Sequence, residues 1–183
     1  IATHFNCIGW SHMSCSSATE ANNWYFYSLL NTIDGCPRVI TSSIEHPCVL
    51  KPLMKYHELG NIELKICPVT PDGFIDMNAF KSLLTENTIL VSVMLANNEV
   101  GTIQPIKQIS EYSKAVGALV HSDIVQAVGK VPVDLKQLGI DAASVSSHKC
   151  YAPTGYGALL LNDINPLQPM IIGGAQQEML RAG

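Results

Sequence analysis

A carboxylate and an amine stand at the ends of two successive strand-like runs, Asp123 in HSDIVQ (121–126) and Lys149 in SSHK (146–149). An acid on the buried side of a site can pair with a protonated ring nitrogen, and an amine can form a Schiff base with an aldehyde. Lysine is ordinarily a solvated surface residue. Lys149, however, follows an apolar strand, adjoins His148 and precedes the turn-forming segment YAPTG (151–155). Partial desolvation there is expected, and it would make the amine a better nucleophile and proton carrier. Lys130, after Gly129 and ahead of Pro132, is the rival amine and is expected to be exposed.

Other polar groups fall at the same kind of position: SATE (17–20), Glu45 with His46, Asn97 with Asn98, Gln126, and Ser146 with His148. Each alone is ordinary, since a histidine after a strand is usually structural and Asn-Asn is a common turn sequence. Their convergence on strand ends is what marks a site. Residues 14–20 (SCSSATE) open a predicted helix, whose first N–H groups and hydroxyls make either a phosphate cradle or a plain capping turn. Acid, amine and cradle together match the needs of pyridoxal phosphate. No G-x-G-x-x-G or Walker pattern offers a dinucleotide or P-loop alternative.

The elements that must hold these groups alternate. Helices are predicted at 18–30, 47–58, 77–84 behind Asp76, and from Pro105 to about 116. Strands are predicted at 38–41, 63–67, 88–95, 118–122, 142–146 and 157–161. This order implies an α/β fold, a three-layer α/β/α arrangement with a mostly parallel sheet, in which ligands sit beyond the carboxyl ends of the strands. Residues 1–13 match no element.

The 183 residues are 47% hydrophobic and carry a net charge of −4, enough for a core and unsuited to a nucleic-acid surface. Apolar runs are too short to span a bilayer. The six cysteines show no C-x-x-C and no zinc spacing, which points to a reducing, cytoplasmic setting, with an organelle left open. The chain reads as a fragment, residues 1–183 forming one partial domain.

The ordered segments SATEANN (17–23), ITSSIEH (40–46), NNEVG (97–101), HSDIVQ (121–126), SSHK (146–149) and GGAQ (173–176) resemble the cysteine desulfurase and selenocysteine lyase family of aminotransferase class V. The resemblance covers nearly the whole chain from Ser14. It implies the large domain of a fold type I pyridoxal phosphate enzyme, incomplete here, that removes sulfur or selenium from cysteine or selenocysteine and releases alanine. Lys149 would hold the cofactor and move the proton, Asp123 would pair with the ring nitrogen, and His46 would stack on the ring. Gln126 and Asn98 would face the phenolic oxygen, while Ala18, Thr19, Ser146 and His148 would surround the phosphate. A homodimer, a sulfur-acceptor protein and a role in iron-sulfur cluster assembly are further implications, as are a catalytic cysteine loop and a carboxylate-binding arginine in a later small domain. Another class V activity and a noncatalytic scaffold are the alternatives.

The chain departs from the family where glycines are usual, with Ser17, Ser147 and Ala152 in their place, and Thr154 replaces a common lysine. The altered glycines are expected to perturb the turns into the site. Cys150 is expected to point away from Lys149 along the strand end.

Overall fold

Period-two alternation sorts the strand residues between two apolar cores, one on each face of a single sheet. The computed structural model describes residues 1–162 and 167–183. Its strands are β1 (Ser11–Cys15), β2 (Arg38–Ser42), β3 (Glu63–Cys67), β4 (Thr88–Ser92), β5 (Leu119–Asp123), β6 (Ala142–Ser146) and β7 (Gly157–Leu161), in the order β1-β7-β6-β5-β4-β2-β3. The helices are α1 (Ala18–Leu30), α2 (Pro47–Glu58), α3 (Met77–Leu83), α4 (Ile106–Ala115) and the single turn α5 (Leu135–Leu138).

Val39, Leu90, Ala142 and Leu159 face one side, where Trp24 and Phe26 of α1 and Val49 and Leu53 of α2 cover them. Their neighbours Ile40, Val91, Ala143 and Leu160 face the other side, against Phe80, Ile106, Ile109 and Leu135 from α3, α4 and α5. Each large side chain so buried contributes roughly 1.5–3 kcal/mol. The three layers and the mostly parallel sheet are therefore as the sequence implies: β3, β2, β4, β5 and β6 are parallel neighbours.

Several features differ from the sequence reading. β7 runs antiparallel to β6, and residues 11–15 form an edge strand antiparallel to β7. Ser14 and Cys15 thus belong to β1, and only Ser16 and Ser17 turn into α1. The unplaced N-terminal segment also feeds the core, with Phe5, Cys7 and Trp10 buried. Strand β4 ends at Ser92 instead of residue 95, because beyond it the chain pairs on one side only, Val93 and Leu95 donating to His121 and Asp123 of β5. The outer edge of β1 is covered in part by Gln177, whose amide accepts from Ser14 N–H at 2.5 Å and donates to Ser14 O at 3.0 Å.

Two antiparallel steps bring β1 back to the direction of β6. Cys15, Gly157 and Ser146 consequently lie in one row, and α1 starts at the same sheet edge where β2, β4, β5 and β6 end. Among the described residues, no helix is long and apolar enough to cross a membrane.

Candidate active site

Beyond that edge lies a cavity of about 240 Å³. Its floor is Asp123, the last residue of β5, which is 4% exposed. Asp123 Oδ1 accepts the Val125 N–H at 3.0 Å, and Oδ2 faces Asn22 Nδ2 at 3.4 Å and Cys48 Sγ at 3.7 Å. Burial pushes its carboxyl up, against the pull of Val125 N–H, Asn22, His46 and Cys48.

One wall is the first turn of α1. Ser17 caps the helix, its hydroxyl accepting from Glu20 N–H at 3.2 Å, and Ala18 and Thr19 follow at the cavity surface. N–H groups in a first turn have no intrahelical acceptor, and the helix dipole adds partial positive charge. Glu20 secures the turn from outside by accepting Ser16 N–H at 2.7 Å and pairing with Arg181 at 2.5 Å. Burial raises the Glu20 carboxyl, but hydrogen bonds from Arg181 and Ser16 outweigh it and hold the group below its ordinary value.

His46 forms a second wall as the N-cap of α2, with Pro47 at the first helical position. Its Nδ1 accepts Cys48 N–H at 3.1 Å, which places the ring proton of the neutral form on Nε2. The third wall is a 3₁₀ turn, Ser147–Lys149, after β6. Here Ser146 Oγ and His148 Nδ1 are 2.9 Å apart, and Lys149 ends the turn. Asn98 and Gln126 complete the lining.

All nine residues picked from the sequence thus border one cavity, but their surroundings differ in part from expectation. Lys149 and His148 are exposed, so the neighbouring side chains do not supply the desolvation expected for Lys149. Gln126 Oε1 accepts from Lys130 Nζ at 2.5 Å, so the rival lysine, exposed as expected, is tied to the cavity wall. Cys150 does not line the cavity; a 3₁₀ turn has no strand alternation, and the thiol instead donates to Ser147 O at 3.1 Å. Missing glycines cause no strain: Ser17 is extended at φ −168°, and neither Ser147 nor Ala152 has a positive φ.

Sequence reasoning missed Cys48, Met94 and Val125 in the lining and Asn22 behind it. Asn22 is one helical turn after Thr19, a spacing that places both on one face of α1. Glu45, 7% exposed, ties two walls together: its Oε1 accepts from Ser42 Oγ at 2.5 Å and from Met94 N–H at 2.9 Å. Burial lifts its carboxyl to about 8, despite the Ser42 and Met94 hydrogen bonds and with added repulsion from Asp123. A folded-state value raised above the unfolded one gives stability that is complete below the unfolded pKa and is lost as pH rises toward the folded value. Glu45→Gln is therefore expected to raise the thermal unfolding midpoint relative to the parent at pH 8, with a smaller gain at pH 5. Equal differences at both pH values would contradict a buried neutral Glu45.

The pattern for aminotransferase class V matches residues 13–182. The chain belongs to this family. Within it, the chain is 40% identical over 169 residues to cysteine desulfurase IscS of Dictyoglomus turgidum, covering 92% of this chain and 43% of that protein. A solved NifS-like protein superposes with a TM-score of 0.93 at 37% identity, covering 100% of this chain and 50% of its own. A structure described as SspA in complex with cysteine gives 0.91 at 32% identity, with coverages of 100% and 53%. The class V chain thus spans about half the length of the relatives it matches, and the two solved ones share its fold.

Proposed function

We propose that the intact protein is a pyridoxal phosphate-dependent cysteine desulfurase, of which residues 1–183 form part of the cofactor-binding large domain. The observation that carries this reading is the meeting of a buried acid, a helix N-terminus, an imidazole and one lining lysine around a single cavity. The donor set fits the cofactor at each end. Asp123 is an acceptor-only group when ionised, suited to a ring N–H, and α1 with Ser146 and His148 offers donors to a phosphate. When bound, pyridoxal phosphate supplies the electron sink for bond breaking at the substrate amino acid.

The chain's own groups divide the remaining work. Asp123 would take the ring end and favour a protonated nitrogen there. Thr19, Ala18, Ser146 and His148 would take the phosphate end, with His46 as the wall that a ring would stack on. Asn98 and Gln126 would serve the phenolic oxygen. Lys149 Nζ would be the amine that holds the cofactor and carries a proton to and from the substrate carbons.

Sulfur leaves cysteine for a protein thiol as a persulfide, and alanine is the other product. Cys48 is ill suited to accept it: burial, with the charge of Asp123, pushes its thiol to about 12, so little nucleophilic thiolate forms. The acceptor thiol and the carboxylate-binding arginine are assigned to the further length present in the relatives. A homodimer and a downstream sulfur-acceptor protein belong to the same reading.

The test is chemical. The intact protein, supplied with pyridoxal phosphate, L-cysteine and a thiol reductant, is expected to release alanine and sulfide in equal amounts. Release of neither product overturns the reading, and alanine from selenocysteine alone replaces it with a lyase specific for selenium.

A further inference from the structure

Three groups on the cavity floor touch although they lie far apart in sequence. Asn22, wholly buried in α1, directs its Nδ2 at Cys48 Sγ at 3.1 Å and at Asp123 Oδ2 at 3.4 Å. Cys48 Sγ donates to the same oxygen at 3.7 Å; it also stands 2.9 Å from His46 Nδ1, but the one lone pair of that nitrogen is taken by Cys48 N–H. With Asp123 and Cys48 also buried, a lost partner leaves the carboxylate short of donors on this side.

We propose that Asn22 and Cys48 are positioning residues for Asp123, an amide and a thiol that together fix its Oδ2, lock the carboxylate's rotamer and keep it charged beneath the cofactor ring. This inference rests on the cofactor reading above. A buried carboxylate stays ionised only where donors replace its hydration. Val125 N–H serves Oδ1, which leaves Oδ2 to the two side chains. The thiol suits the task because its high pKa keeps the S–H intact as a donor, where a thiolate would repel the acid. The titratable groups acting on Asp123 are His46, Cys48 and Glu45, of which His46 favours its charge and Glu45, when ionised, opposes it. Without the two donors Asp123 drifts toward the neutral acid, which cannot form an ion pair with a protonated ring.

The deciding measurement is a carbon-13 NMR titration of the Asp123 carboxyl in the intact, cofactor-free protein, alongside pyridoxal phosphate affinity read by absorbance. Cys48→Val and Asn22→Leu are expected to move the Asp123 midpoint upward by about one pH unit and to weaken cofactor binding about tenfold. Cys48→Ser keeps a donor and is expected to behave like the parent. A merely structural role would lower unfolding temperatures without separating Ser from Val at position 48. Identical Asp123 midpoints in the parent, Cys48→Ser and Cys48→Val overturn the inference, and this comparison decides even where Asn22→Leu fails to fold. A parent protein that binds no pyridoxal phosphate defeats the proposed function, while the carboxyl titration still tests the positioning.

Discussion

Lys149→Ala is expected to abolish covalent retention of pyridoxal phosphate. Borohydride reduction of the cofactor-loaded parent should leave one reduced cofactor mass on the denatured polypeptide, mapped to the peptide holding Lys149; the variant should carry none. The expectation is strong because Lys149 is the amine that lines the cavity, and the turn beneath it is closely held. Ser147 Oγ lies 2.5 Å from Pro153 O and 2.8 Å from Tyr156 O, which fixes the backbone from which Lys149 projects. Turnover with cysteine should fall by about 10²–10⁴-fold, since the same amine is assigned the proton transfers. Lys130 is the informative control. Its Nζ is bound to Gln126 at the cavity wall, and Lys130→Ala should retain the label in full. A label that persists in Lys149→Ala and maps to Lys130 would exchange the roles of the two lysines.

The placement of these residues at one sheet edge is legible because polar residues directly after apolar runs stand out. HSD ends β5 and SVS ends β6, so the sequence alone places Asp123 and Lys149 on one edge. The parallel strands were legible for a related reason: β4 and β5 are rich in β-branched or aliphatic residues and are bounded by turns. Strand β1 was not, since SHMSC has only Met13 and Cys15 to show its buried face. The reversed direction of β7 leaves no local trace in GALLL, because direction depends on how the connecting chain returns. Buried polar residues were the other blind spot. Asn22 reads as a surface residue by type, and only the packing of α1 over the sheet edge shows that it holds Asp123; Glu45 stands out at a strand end, but its bond to Met94 N–H does not. The exposure of Lys149 had no signal in the sequence either, since it reflects which surfaces are covered and not which residues adjoin.

Gly157→Ala is expected to damage folding and cofactor binding together. Gly157 begins β7 and pairs with Cys15 on one side and Ser146 on the other, the row where α1 enters the sheet edge. Its backbone is not left-handed, so conformation does not demand glycine; space does. A Cβ there would meet the Ser17 carbonyl carbon at 2.5 Å, with Ser17 Cα and O at 2.8 Å. These are backbone atoms, and no rotamer change relieves the clash. Either β7 shifts out of register or the capping turn moves outward, carrying Ala18 and Thr19 away from the phosphate end. Overpacking of this kind costs about 3 kcal/mol, roughly 6–12 °C in unfolding midpoint for a domain of this size. Pyridoxal phosphate affinity should fall beyond what partial unfolding explains, because the surviving folded molecules hold a displaced cradle. Calorimetry with and without cofactor separates the two effects. An unfolding midpoint and cofactor affinity both equal to the parent's would mean that α1 can retreat without loss, and the role given to its first turn would then be wrong.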